Sequence, residues 1–244
     1  MDKLPDKKTI LVALQKGDLS LQGQFLNSSN YTFLGTLTYE DFELEVVYKP
    51  TRGEQPLWDF PTGTLSKREV AAFQTSEALG WNIVPPTVYR RGKAPLGPGS
   101  LQQYIEHDPE YHYFRFDDED KQKLRPVVLF DLLINNADRK GGHILCDRNN
   151  NLWLIDHGIC FHEEPKLRTV IWDFAGEEIP NDLKSDLSCF ATQVDSKGDF
   201  YHQLSELLHP SEIAALAKRS RQLVDSGHFP YPAGSRRPYP WPPI

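Results

Sequence analysis

Long apolar runs are missing from this 244-residue chain: no stretch approaches the ~20 residues that a membrane span needs. The opening Met1-Asp-Lys-Leu-Pro-Asp-Lys-Lys is charged, and the apolar run behind it, Ile10 to Leu14, is too short for a secretory signal core. Cysteine is scarce. The three at positions 146, 160 and 189 have neither paired nor metal-ligand spacing, so free, buried thiols in a reducing cytoplasm are expected. Basic residues are outnumbered, 27 Lys and Arg against 34 Asp and Glu, for a net charge of −7. That balance counts against nucleic-acid binding, whose affinity rests on neutralising phosphates. No polybasic run or basic amphipathic helix is evident, so stable membrane association is not expected either. Lys218–Arg221 and Arg236-Arg237 are too small to reverse the balance. His107, His112, His157 and His162 fit no zinc spacing, and the absence of Gly-x-Ser-x-Gly leaves a hydrolase triad little support. There is no Gly-x-Gly-x-x-Gly loop and no internal repeat.

The composition, 39% hydrophobic and 25% charged, is that of a globular protein of one or two domains with a proper core. A short helix is expected over 6–16, stopped by Gly17, and strands over 20–27, 31–38 and 42–48. Alternation is clearest in Phe42-Glu-Leu-Glu-Val-Val-Tyr48. Lys49 ends that strand and Pro50 prevents its continuation; a long loop rich in Gly and Pro follows. A helix should run from Ser66 to Leu79, closed by Gly80. Strands are expected at 87–90 and 101–105. The chain thus divides into a strand-rich part over 1–105, a mainly helical part over 106–228 with helices near 181–194, 199–208 and 211–226, and a Pro-rich tail over 229–244. The tail's prolines forbid helix or central strand, so it should be extended, either disordered or packed along the body.

Residues 136–158 hold the densest signal: Asn136-Ala-Asp138-Arg139, then Leu154-Ile-Asp156-His-Gly158. The segment between reads as a strand (His143 to Cys146), a polar turn (Asp147 to Asn151) and a return strand (Leu152 to Ile155). Such a hairpin brings its ends together, so Asp138 and Asp156 should face one site. Phosphoryl transfer uses a pair of this kind, one carboxylate orienting the acceptor hydroxyl and another holding the metal that bridges the ATP phosphates. The turn is expected to rest on Gly158.

Asn136-x-Asp-Arg followed by Ile155-Asp-His-Gly-Ile-Cys160 resembles the phosphatidylinositol 3-/4-kinase-like superfamily, above all its type II 4-kinase branch. It resembles HipA-type kinases and small actinobacterial kinase-like proteins more weakly. The likeness covers roughly residues 20–190, with strong motifs only at 136–160. It implies an α+β, two-lobed atypical kinase fold that binds ATP and Mg2+ (or Mn2+) between a strand-rich N-lobe and a helical C-lobe. Asp138 would be the catalytic aspartate and Asp156 a metal ligand; alone, each could equally serve as a cap or turn residue. Lys49 would contact the phosphates and pair with Glu69. Glu69 has a rival role as N3 of a Ser66-Lys-Arg-Glu69 capping box. Gln103, Tyr104 and Ile105 lie where the inter-lobe hinge would meet the nucleotide. Ser28 and Ser29 sit where a phosphate-covering loop would be, though an ordinary polar turn fits as well. His143 departs from the pattern: superfamily kinases commonly carry Asn five residues after the catalytic Asp, as a second metal ligand. Histidine is softer than magnesium prefers, which leaves open an altered metal preference, a one-metal mechanism or lost activity. Helix 66–79 would be the movable element of the small lobe. Trp172-Asp-Phe174 would help shape the acceptor pocket, for a protein hydroxyl or a soluble polyol rather than an inositol lipid. Two alternatives use the same fold: a nucleotide-binding pseudokinase acting through partners, and a nucleotidyl transferase.

Overall fold

A computed structural model describes residues 5–26, 29–232 and 237–244. Asp6 accepts a hydrogen bond from the Thr9 amide and starts α1, Lys7–Lys16, which Gly17 closes. Five antiparallel strands follow: β1 Asp18–Gln24, β2 Phe33–Tyr39, β3 Phe42–Pro50, β4 Thr87–Arg90 and β5 Gly99–Gln103, in the order β1-β2-β3-β5-β4. Alternation does in β3 what a half-buried strand requires. Leu44, Val46 and Tyr48 face inward while Glu43 and Glu45 face water. The inward residues meet Ile10, Ala13 and Leu14 of α1, with Leu37, Val88 and Leu101, in a small core of their own. Strand β3 continues through Pro50, whose partner is Gly99, so the proline lengthens the strand rather than ending it at Lys49.

The second helix, α2, spans Leu65–Ala78. Its Ala71, Ala72 and Phe73 join the larger core of the helical part, not the small core under the sheet. After the short α3 (Asp118–Gln122), that core gathers α4 (Arg125–Ile134), the hairpin β6 (Ile144–Cys146) and β7 (Leu152–Leu154), then α5 (Asn181–Asp195), α6 (Asp199–Ser205) and α7 (Pro210–Ser226). A strand-rich N-lobe with one sheet therefore sits on a helical C-lobe that carries a single hairpin, and the chain crosses between them after β5. Tyr104 and Ile105 lie outside β5, in the crossing segment.

Candidate active site

The backbone around Asp138 is fixed before any side chain is asked to do chemistry. Helix α4 ends at Asn135, which is left-handed (φ 55°, ψ 51°), and the Asn135 side chain donates to the His162 and Glu164 carbonyls while accepting from the Lys166 amide. Asp131, fully buried in α4, accepts from Asn136 Nδ2 at 3.0 Å and from Arg139 Nε at 3.0 and 3.1 Å. The buried Arg139 guanidinium spends its other donors on the carbonyls of His143 and Ile155, both at 3.0 Å, and on His157 Nε2 at 2.9 Å. Arginine has no lone pair to offer, so His157 Nε2 must be the acceptor and its proton must sit on Nδ1. One buried cation therefore ties together α4, both ends of the hairpin and the Asp-His-Gly turn. Asp138 is left projecting from this frame, its own amide held by Asn136 Oδ1 at 3.0 Å.

Lys49, at the end of β3, reaches between two carboxylates. It pairs with Glu69 of α2 and lies 2.9 Å from Asp156 Oδ1. The other Glu69 oxygen accepts from the His157 amide at 2.9 Å. Glu69 is thus buried against the site and takes no part in capping α2. The cap is Glu54, whose carboxylate accepts from the amides of Leu65 and Ser66 and from the Ser66 hydroxyl. A glutamate eleven residues upstream, inside the Gly- and Pro-rich loop, outcompetes the local capping box. The turn residue in Asp-His-Gly is also not the expected one. Asp156 itself is left-handed at φ 62°, whereas Gly158 is not among the glycines of positive φ. An aspartate held there by its surroundings is a position of local strain.

His143 Nε2 stands 3.4 Å from Asp156 Oδ2, and its Nδ1 is buried with no hydrogen-bond partner. Burial pushes His143 down to about 4, against the pull of Asp156, so the ring is neutral near pH 7. Burial pushes His157 well below the usual histidine range as well, with Arg139 adding to it. The Lys49 ammonium holds Asp156 well below the usual carboxylate range. Burial disfavours the Lys49 charge, but Asp156 and Glu69 outweigh it and keep the ammonium more basic than an ordinary lysine. Asp138 goes the other way. Burial raises it to about 6, with Asp156 adding to the rise and Lys140 and Arg168 opposing it. The Lys140 ammonium lies 3.7 Å from Asp138, and Arg168 Nε donates to the Ala137 carbonyl at 2.7 Å.

The structure thus brings Lys49, Glu69, Asp156 and His143 into one connected cluster, with Asp138 close enough to feel Asp156. Gln103 closes β5, and the amides of Gln103 and Tyr104 are used inside the N-lobe by the carbonyls of Pro86 and Glu45. Ser28 lies outside the described residues, and Ser29 is an exposed bend. Asp173 of the Trp-Asp-Phe segment accepts from the Tyr113 hydroxyl at 2.6 Å, and Phe174 is buried under Arg125. Helix α2 is pinned. Arg68, 1% exposed, donates to the Cys160 carbonyl at 2.7 Å and to Glu212 of α7 at 2.6 Å. The role of Arg68 has no sequence signature, because its partners lie 92 and 144 residues away; Glu54 reaches α2 from a loop without pattern, and nothing in Asn-x-Asp-Arg marks the tie of Arg139 to Asp131.

Among the described residues no group of three or more His, Cys, Asp or Glu side chains is arranged to hold a metal by itself. Asp156 and the neutral His143 ring, whose Nε2 is turned toward Asp156 Oδ2, offer a two-residue donor set. That fits an ion whose remaining ligands come from phosphate and water.

The fold is two-lobed and kinase-like. The chain belongs to the family of Protein Rv2133c of Mycobacterium tuberculosis (strain ATCC 25618 / H37Rv), with 39% identity over 264 aligned positions that cover 94% of this chain and 93% of that protein. A second relative is Phosphatidylinositol 4-kinase gamma 4 of Oryza sativa subsp. japonica, 29% identical over 122 residues, 43% of this chain and 22% of that protein. No protein-family model matches. Among solved structures, the Golgi casein kinase with Mn/ADP bound superposes with a TM-score of 0.58 at 14% identity, over 98% of this chain and 80% of its own. Hydra Fam20 with sugar gives 0.55 at 15%, over 93% and 89%. The Helicobacter pylori proinflammatory kinase CtkA gives 0.53 at 11%, over 88% and 94%. At these identities the likeness is one of fold.

Proposed function

We propose that this protein is an ATP-dependent phosphotransferase of the phosphatidylinositol 3-/4-kinase-like superfamily, acting on a hydroxyl of a protein or a soluble polyol. The observation that carries the reading is Lys49 held between Glu69 and Asp156, with Asp138 across the same cluster. Lys49 is the cation for the transferred phosphates, and Glu69 keeps it extended. Asp156, with His143, would hold a divalent ion, which when bound neutralises charge on the phosphates. The Mn and ADP of the Golgi casein kinase structure support that cofactor choice. Asp138 accepts the acceptor proton as the hydroxyl oxygen bonds to the γ-phosphorus and ADP departs, and a carboxyl raised to about 6 is a better base than an ordinary aspartate. Gln103, Tyr104 and Ile105 would line the adenine side, and Ser29 with Ser28 the phosphate side.

A second reading, a nucleotide-binding pseudokinase, is favoured by His143 standing where superfamily kinases commonly carry Asn. Incubation with ATP labelled at the γ- or the α-phosphorus, with magnesium or manganese, separates the readings. Transfer of the γ-label is the expected result. Transfer of the α-label means nucleotidylation, and nucleotide binding without transfer means a pseudoenzyme.

A further inference from the structure

Two backbone donors at the acceptor side of the site are taken by the chain's own last residues. The Gly141 amide, three residues beyond Asp138, donates to the Pro243 carbonyl at 2.8 Å, and the Thr169 amide donates to the Pro238 carbonyl at 3.0 Å. Thr169 is bridged to Arg139, and the Arg168 amide donates to the Asn136 carbonyl, so the tail is laid directly over the Asp138 frame. Gly141 is closely covered by Phe114, and Gly142 lies near Ile244.

That seating leaves large apolar side chains in water. Trp241 is 74% exposed, Ile244 59%, Phe114 49% and Tyr239 47%. Scattered exposed apolar residues mean little, but Phe114 lies against Gly141 and Ile244 near Gly142, beside the Asp138 loop, and Tyr239 and Trp241 belong to the same tail. Cations rim it. Lys140 stands beside Asp138, and Arg168 commits only its Nε and main-chain amide to carbonyls. Arg237 lies over the Trp241 ring at 5.3 Å.

We infer that the tail Arg237–Ile244 completes the acceptor site, and that the acceptor is an acidic polypeptide segment carrying the reactive hydroxyl. The inference rests on the phosphotransferase reading. The aromatic platform takes the peptide's apolar groups, and Lys140, Arg168 and Arg237 take its carboxylates. A neutral polyol would use neither.

The test uses the full chain with two fluorescent peptides, one with a serine among glutamates and the other with a serine among lysines. Anisotropy reads binding, γ-label reads transfer, and ATP-induced stabilisation is followed in parallel. The acidic peptide should bind and be modified at least tenfold better than the basic one. Trp241→Ala and Arg237→Glu should each weaken its binding at least tenfold while ATP still raises the melting temperature as in wild type. Both side chains are exposed, so both variants should fold. Equal treatment of the two peptides, transfer to a soluble polyol but to neither peptide, or faster transfer after removal of residues 237–244 would each overturn the inference. In all three the ATP response persists, which separates them from failure of the phosphotransferase reading, where wild type shows no ATP response.

Discussion

At the residue scale the two aspartates are driven apart by their surroundings. Asp156 is kept ionised by Lys49, while Asp138 keeps its proton up to about pH 6. Transfer should therefore rise with pH through about 6 and then level, and a pH–rate profile without that limb would remove Asp138 from the base role. The same shift has a stability consequence of definite sign. A carboxyl whose folded pKa lies above its unfolded value loses stability as pH rises from about 4 through 6. Asp138→Asn removes that loss, so the variant should lose transfer, keep the ATP response, and be at least as stable as wild type in urea at pH 7. His143→Asn should move the metal preference of nucleotide binding from manganese toward magnesium, because an amide oxygen is the harder ligand. Equal titrations in both proteins would take His143 out of the coordination shell. The spacing of Asp138 and Asp156 was legible because a hairpin is a local object. The anchoring of Asp138 by Asp131 and Arg139 was not, since a buried Arg–Asp pair at that separation looks like any helix-and-loop charge.

At the scale of elements, α2 is the informative case. Its limits were readable within a residue from Gly80 and the polar start, but its cap and its packing were not. Glu54 reaches it from a loop that carries no pattern, and Arg68 makes its buried contacts with residues 92 and 144 positions away. The sequence suggests a swinging helix, whereas the structure holds α2 by a buried ion pair and by the larger core. Arg68→Met leaves Glu212 without its partner and should cost about 3–5 kcal/mol, or roughly 10 °C in melting temperature for a protein of this size. Glu212→Gln leaves one acceptor oxygen, enough for Arg68 or for the His209 amide but not for both, so it should cost less than Arg68→Met. A similar loss in both, measured by urea midpoint, would mean the charge rather than the hydrogen bonding sets the effect. The tail was readable as extended, from its prolines; its seat on Gly141 and Thr169 was not, because prolines lacking amides still offer carbonyls to any donor.

For the whole molecule, the two-lobed architecture was legible from the change in pattern near residue 105, strands before it and helices after. Which lobe owns α2 was not, since contact between lobes leaves no periodicity. Nucleotide should bind across this arrangement. ATP with a divalent ion at one hundred times its dissociation constant should add about 2.7 kcal/mol to stability, raising the melting temperature by several degrees; an unmoved melting curve at millimolar ATP would defeat the nucleotide site. The Lys49–Asp156 contact adds an order of arrival. An ion entering first must compete with a tethered ammonium for the same oxygen, whereas an ion arriving already chelated brings phosphates that give Lys49 somewhere else to go. Magnesium or manganese alone should therefore leave the melting curve where it was, and the metal–nucleotide complex should be the species that enters. The lysine is then a placeholder, sitting in the cation's seat until the cation comes with its own counter-charge.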